Sequence, residues 1–314
     1  MPVLLDDLQQ QIANGQVIAI VGAGVSIGAT IGATGADTAS WVGLLKNGIT
    51  RCEEVGNPRP NPGWGERQRA ALEDGQLDEL LSVASQIESR LGAPNGGEYR
   101  RWLRESVGAL RPNDRAVLEA LRDLGVPLAT TNYDGLIEEV TELPAVTWRD
   151  GARIQRIIRG DEPGVLHLHG YWQQPESVVL GIRSYDQVLG DAHAQTVQSA
   201  LALMKSFLFA GCGEGLADPN FGALRQWIRK VFPGAEYRHF RLCRDGEIDE
   251  IQKLHPPEER IFCSWLRRRP CRSSTLSGAS KAAKDNTAAC PAGNGGAGTA
   301  APAARANFWP RSAR

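Results

Sequence analysis

The sequence of 314 residues lacks several features that would assign a function class directly. It contains no run of about 18 apolar residues, so we expect no transmembrane helix. Its formal net charge is −1, so the overall charge does not favour binding to nucleic acid or to a membrane surface. None of the six cysteines belongs to a Cys-x-x-Cys pair. The sequence therefore predicts free thiols, not a disulfide framework or a zinc ribbon.

The beginning of the chain does not have the pattern of a secretory signal. The segment "MPVLLDDLQQQI" carries acidic residues where a signal peptide has basic ones. Together with the scattered cysteines, this pattern predicts a cytoplasmic protein.

What the sequence does contain is an alternation of apolar strands and amphipathic helices. A short helix over 3–14 precedes the apolar run 17–21, and later strands are predicted in "VPLATTNYD", "GVLHLH", "FLFAGCG" and "EYRHFRLC". This alternation predicts an α/β fold: a Rossmann-like parallel sheet with helices on both faces. Residues 41–110 are mostly helical and too long for a simple crossover, so they predict a smaller inserted helical module. Residues 28–40 are predicted as a flexible loop.

The last part of the chain differs in composition from the rest. It contains no Val or Ile from Cys271 onward and is rich in Ala, Gly, Pro and Ser. Such a segment cannot bury enough apolar surface to order itself. We therefore expect one domain over 1–265 and a disordered tail over 266–314.

A glycine-rich turn follows the first predicted strand in "VIAIVGAGVS". Such a turn exposes backbone N–H groups to an anion at the carboxyl end of a strand. Two standard motifs do not fit it. A P-loop needs a lysine after the glycines, and the first lysine is Lys46. The dinucleotide fingerprint needs a third glycine where the sequence has Ile27. Phosphate binding and a merely tight turn both stay open on this stretch alone.

Polar or glycine-rich residues also follow the other predicted strands. In "TTNYDG", Asn132 and Asp134 are two residues apart and face the same way on an extended backbone, although both residue types also favour turns. In "HLHG", His167 and His169 share one face, and each could also be a structural, hydrogen-bonded histidine. The segment "FAGCGEGLADPNF" is a second glycine-rich strand end, with Asp218 at the start of a helix. Four such endings on one parallel sheet predict a ligand site at its carboxyl edge.

The order of these motifs resembles that of the sirtuin-like superfamily. The series "GAGVS", "TTNYD", "LHLHG", "SYDQVL" and "FAGCGEGLADPNF" is most similar to its bacterial branch of NAD-consuming defence effectors, over about residues 12–245. The resemblance implies an NAD-binding Rossmann-like domain with a smaller helical module and an active site between them.

The resemblance also implies roles for individual residues. Those assigned to the pyrophosphate and adenosine side of NAD are Gly22, Ala23, Gly24, Ser26, Gly211 and Gly213. At the nicotinamide end, Asn132 matches the residue near the ribose, Asp134 an acid near the nicotinamide, and His169 the catalytic histidine. Asp218 matches an acid of the bacterial branch, and a helix cap is its simpler interpretation.

The sequence departs from the protein deacylases of this superfamily in two places. Their two Cys-x-x-Cys pairs for structural zinc are missing, so we expect no zinc. Their "GIPDFR" segment is replaced by "TGADTASWVGLL". Both departures favour direct attack on NAD. The expected function is an NAD+ glycohydrolase that gives nicotinamide and ADP-ribose, with a role in anti-phage defence.

Several alternatives stay open at this point. The same site could serve a zinc-free protein deacylase or an ADP-ribosyltransferase, or a non-catalytic NAD sensor. A metal hydrolase that uses His167 and His169 lacks a third ligand at a persuasive spacing. The expected ligand is NAD, and a homo-oligomer and a separate sensor protein both stay open as partners.

Overall fold

The computed structural model describes residues 2–213, apart from 193, 197, 198 and 200–204, together with 239–243 and 262–265. Three sequence-based expectations lie outside the described residues. They are the disordered tail over 266–314, the role of Asp218, and the amphipathic helix in "FGALRQWIRKVF".

Within the described residues, seven parallel strands form one sheet in the order β3-β4-β2-β1-β5-β6-β7. The strands are β1 (Val17–Val21), β2 (Leu128–Thr130), β3 (Ala145–Thr147), β4 (Val165–His167), β5 (Ser206–Ala210), β6 (Phe240–Cys243) and β7 (Phe262–Trp265). The central strand β1 pairs with β2 on one side and β5 on the other. All five β1 residues are buried, as expected for a strand covered on both faces. The predicted parallel, Rossmann-like α/β sheet is confirmed.

Helices connect the strands. Their bounds are α1 (Pro2–Ala13), α2 (Ala23–Ala29), α3 (Trp41–Val55), α4 (Trp64–Asp74), α5 (Leu77–Leu91), α6 (Gly97–Glu105), α7 (Ala116–Asp123), α8 (Leu136–Thr141), α9 (Gly151–Arg159) and α10 (Ile182–Gly190). Polar side chains cap several of them. The Ser40 hydroxyl accepts a hydrogen bond from the N–H of Gly43 at the start of α3, and the Asp150 carboxylate accepts one from the N–H of Arg153 at the start of α9.

The helices α3 to α6 form the inserted block that the sequence predicted between β1 and β2. Residues 56–63, which are rich in Pro, Asn and Gly, separate α3 from α4. One hydrophobic cluster includes Val21 of β1 and also Leu45, Ile87 and Trp102 of the block. The block therefore packs against the sheet through a shared apolar core.

The segment 28–40 differs from the flexible loop that the sequence predicted. It contains the end of α2 and a turn of 3₁₀ helix over Ala36–Ala39. Thr38 and Ala39 are buried, and the Thr38 hydroxyl donates to the carbonyl of Gly35. A separate observation concerns membranes: among the helices of the described residues, none has both the length and the apolar character needed to cross a bilayer.

Candidate active site

The glycine-rich turn after β1 packs backbone to backbone against the loop after β5. The N–H of Gly22 donates to the carbonyl of Ala210, and that of Gly24 donates to the carbonyl of Gly211, both over 2.9 Å. A Cβ atom added to Gly22 would lie 2.8 Å from the Cys212 Sγ and from the Gly211 carbonyl oxygen. The glycines are thus explained by the close approach of two loops at the carboxyl edge of the sheet.

The hydroxyl of Ser26 connects the two polar residues that follow β2. It donates to Asp134 Oδ2 over 2.7 Å and accepts from Asn132 Nδ2 over 2.8 Å. All three residues are buried. The expectation that Asn132 and Asp134 face the same way holds, because both contact the same atom. The sequence assigned Ser26 to the pyrophosphate of NAD, and in the structure its proton is directed to Asp134.

Burial determines the electrostatics of Asp134. The pKa of this carboxyl is raised above its ordinary value by burial, while the Ser26 hydroxyl and the N–H of Leu136 oppose the shift by donating to the carboxylate. A carboxylate held by two donors and shielded from water can interact strongly with positive charge that develops beside it.

Further hydrogen bonds hold the loop after β2 that carries Asn132. The N–H of Asn132 donates to the hydroxyl of Thr130, which in turn donates to the carbonyl of Val21 at the end of β1. The Tyr133 hydroxyl donates to the carbonyl of Val179. The loop that carries Asn132 is therefore held by Val21 at the end of β1 and by Val179, as a site with precise geometry requires.

His169 follows the neighbouring strand β4. Thr130 of β2 is in register with His167 of β4, and the N–H of Leu168 continues the ladder to the Thr130 carbonyl. His169 follows the end of β4 by two residues, as Asn132 follows the end of β2. The ring of His169 is buried and contacts Tyr185 edge-on, with 5.8 Å between the ring centroids.

His167, the other histidine of the motif, makes contacts that the sequence did not predict. Its Nε2 lies 2.7 Å from Glu138 Oε1, and its Nδ1 lies 3.1 Å from the carbonyl oxygen of Asn132. Both ring nitrogens face oxygen atoms of the protein, so neither is directed to a metal shared with His169. In the described residues, no group of three His, Cys, Asp or Glu side chains could hold a metal ion.

The glycine-rich loop after β5 forms the other side of the site. Gly211 has a positive φ of 67°, and Gly213 is exposed, with no heavy atom of the described residues within 4 Å of an added Cβ. The guanidinium of Arg241 on β6 donates to the carbonyl of Gly213 over 3.2 Å. Burial raises the pKa of the Cys212 thiol to about 12, so this cysteine is an unreactive spacer beside Gly22.

Sequence reasoning missed the partner of His167 and the position of Cys212. Glu138 lies four residues after Asp134 in "DGLIEE", one turn into a helix that was not predicted, and nothing in the sequence connects it to a histidine 29 residues later. In the sequence, Cys212 was only one of the cysteines outside a Cys-x-x-Cys pair, and its contact with Gly22 was not predicted.

The comparison with known families agrees with this geometry. Residues 127–261 match the model of the SIR2-like domain. The match begins one residue before β2 and includes Asn132, Asp134, His169 and the loop after β5, whereas the glycine-rich turn after β1 precedes it.

Proposed function

Because the chain belongs to the sirtuin-like superfamily, we propose that it is an NAD+ glycohydrolase. The reaction consumes NAD+ and water and yields nicotinamide, ADP-ribose and a proton. One observation carries the proposal: Ser26, Asn132 and Asp134 form one hydrogen-bonded group, with His169 on the neighbouring strand end. The family match supports an activity that involves NAD, and hydrolysis is the further step that we propose.

We assign the phosphate end of NAD+ to the two glycine-rich loops. The N–H of Gly24 and the hydroxyl of Ser26 already donate within the protein. We assign the N–H of Ala23, the first residue of α2, to the pyrophosphate as the donor from this turn. The adenosine side is assigned to the loop around Gly211 and Gly213, where no atom of the described residues lies within 4 Å of an added Cβ at Gly213.

The chemical step breaks the bond between nicotinamide and C1′ of the ribose. Positive charge then develops on the ribose, as in glycoside hydrolysis in general. The buried carboxylate of Asp134 stabilises this charge or binds the carboxamide of nicotinamide. The Asn132 side chain orients the ribose or the attacking water, since an amide offers both donors and an acceptor. His169 removes the proton from that water, because histidine can act as a base near neutral pH.

We propose that no zinc takes part and that the protein works in the cytoplasm. Cys52 and Cys212 are free and buried, which fits a reducing compartment. We expect a chelator to leave folding and turnover unchanged. Zinc bound in stoichiometric amount, and lost together with the fold, would contradict this proposal.

Incubation of the purified protein with NAD+, followed by chromatography of the products, tests the function. We expect nicotinamide and ADP-ribose in equal amounts, and a large loss of both with Asn132→Ala. Release of nicotinamide with ADP-ribose attached to an acceptor would indicate a transferase. Turnover only with an acylated peptide would indicate a deacylase. Binding of NAD+ without any product would indicate a sensor.

The resemblance to defence effectors supports a role in anti-phage defence. We propose that infection releases the activity and that the resulting loss of NAD+ stops phage replication. Cells that carry the wild-type protein should lose NAD+ and form fewer plaques during infection, and cells with Asn132→Ala should do neither. Equal plaque numbers in both would contradict the defence role without affecting the enzymatic proposal.

A further inference from the structure

A buried ion pair lies directly behind the candidate active site. The His167 side chain is fully buried at the end of β4, and its Nε2 lies 2.7 Å from Oε1 of Glu138 on α8. On the other side of the ring, Nδ1 lies 3.1 Å from the Asn132 carbonyl oxygen and 3.3 Å from that of Gly170. The carbonyls belong to the two loops that carry Asn132 and His169.

These contacts determine the protonation of the ring. A carbonyl oxygen can only accept a hydrogen bond, so Nδ1 carries a hydrogen. When the Glu138 carboxyl is ionised it can only accept as well, so Nε2 then also carries a hydrogen and His167 is an imidazolium paired with a carboxylate. Burial lowers the pKa of His167, but the charge and hydrogen bond of Glu138, the Asn132 carbonyl and the charge of Asp134 together raise it above its ordinary value. The Tyr171 ring packs on the imidazole, 4.7 Å away between centroids.

Stability alone is a weak explanation for this arrangement. Removing two charges from water costs so much free energy that a buried ion pair is often no better than an apolar pair of the same volume. What an apolar pair cannot do is donate from one ring to two carbonyl oxygens in different loops. We therefore propose that His167 is a positioning residue: held by Glu138, it fixes the loop of Asn132 relative to the loop of His169. This inference rests on the proposed function for its effect on turnover.

Two substitutions distinguish the contacts of His167 Nδ1 from the contact of His167 Nε2. The amide nitrogen of His167→Asn lies near the place of Nδ1 and can still donate to the carbonyls. The amide of His167→Gln lies near the place of Nε2 and can still contact Glu138. We expect the Asn variant to keep a kcat close to that of the wild type. The Gln variant should lose about 10- to 100-fold in kcat with little change in KM, because displaced catalytic groups slow the reaction more than they weaken binding.

Controls keep this test interpretable. Both variants are also made with Glu138→Gln, so that no buried carboxylate is left without a partner. Glu139→Gln removes the neighbouring carboxylate of α8, which pairs with Arg115 at the surface, and should leave kcat unchanged. Melting temperatures identify variants that do not fold.

A second readout does not depend on turnover. In nitrogen NMR spectra, both His167 ring nitrogens should be protonated in the wild type at neutral pH. His167→Gln should shift the resonances of the Asn132 side-chain amide and of the His169 ring, whereas the Asn variant and Glu139→Gln should not. An inactive wild-type protein would contradict the proposed function, and the NMR result would still decide the positioning role. A folded Gln variant with unchanged kcat and unchanged resonances would overturn the inference.

Discussion

The side-chain amide of Asn132 donates a hydrogen bond of 2.8 Å to the hydroxyl of Ser26. These residues are 106 positions apart and belong to different loops at the carboxyl edge of the sheet. Because the same hydroxyl donates to Asp134, Ser26 sets the distance between the two residues that we place beside the ribose. We therefore expect Ser26 to orient these side chains in the proposed NAD+ site.

Ser26→Ala tests this role. The change leaves the Asn132 amide without its acceptor and removes one donor from the buried Asp134, so it should lower the free energy of unfolding by about 1–3 kcal/mol. Turnover of NAD+ should fall roughly tenfold or more through misplacement of both side chains. Kinetics with NAD+ and thermal denaturation measure the two effects.

A control for this change is Ser106→Ala. The Ser106 hydroxyl is buried in the helical block and donates to the carbonyl of Trp102 over 2.6 Å. Its removal should cost similar stability and leave kcat unchanged. If both variants lose kcat to the same extent, the effect of Ser26 is a general loss of stability and not an orientation of the site.

Gly22 and Gly28 offer a matched pair of substitutions in and beside α2. A Cβ at Gly22 would lie 2.8 Å from the Cys212 Sγ, whereas a Cβ at Gly28 meets no heavy atom within 4 Å. Gly22→Ala should push apart the loops after β1 and β5 and weaken NAD+ binding by roughly tenfold or more, which corresponds to about 1.4 kcal/mol. Gly28→Ala should keep the affinity and stabilise the helix by about 0.5–1 kcal/mol. Calorimetric titration with NAD+ compares them. Equal affinities of both variants for NAD+ would show that the turn is not part of the binding site.

Most strands and the helical block could be predicted because the sequence patterns that indicate them lie within short, continuous segments. β1 is a run of β-branched and apolar residues bounded by glycines, and the block carries long amphipathic repeats. The short helices α8, α9 and α10 were not predicted. They have six to nine residues each, so each spans fewer than three helical turns. The four-residue strand β7 was not predicted either.

The position of the site could be predicted, but its contacts could not. Strand ends of a parallel sheet meet at one edge, so the sequence brought Gly22, Asn132 and His169 together. The partners of Ser26 and His167 depend on side chains from distant segments, and no spacing encodes them. The sequence predicted Asn132 and His169 to lie at a ligand site on this edge. In the structure their exposed fractions are only 8% and 4%, respectively, so replacing either with Ala costs packing as well as activity.

His169 therefore needs a substitution that keeps volume and polarity. We expect His169→Gln to retain a melting temperature close to that of the wild type, since an amide can occupy the same space beside Tyr185. It cannot take up a proton at neutral pH, so kcat should fall about 100-fold or more. NAD+ affinity should change far less, because the glycine-rich loops are untouched. A stable Gln variant with the wild-type kcat would show that His169 is structural.

Glu88 provides a test of the contact between the helical block and α10. This carboxyl on α5 is close to the N-terminus of α10, where the Ser184 hydroxyl lies 3.3 Å from its Oε1. Burial raises its pKa from 4.5 to about 7, against the opposing effects of the Gly181 backbone, Ser184 and Arg183. The folded protein thus binds this proton more tightly than the unfolded chain does.

The direction of the pH effect follows from that difference. The Glu88 carboxyl makes its full contribution to the free energy of unfolding below pH 4.5. This contribution is lost as the pH rises to about 7, because in that window the carboxyl ionises in the unfolded chain but stays protonated in the folded protein. The shift corresponds to about 3 kcal/mol. Glu88→Gln should therefore be more stable than the wild type at pH 8, by up to that amount, and similar to it at pH 4. Glu79→Gln, at an exposed position of the same helix, should follow the wild type at every pH. Denaturant unfolding from pH 4 to 8 measures all three proteins. If the stability curves of Glu88→Gln and of the wild type stay parallel over this range, the Glu88 carboxyl is not held in the buried contact with α10.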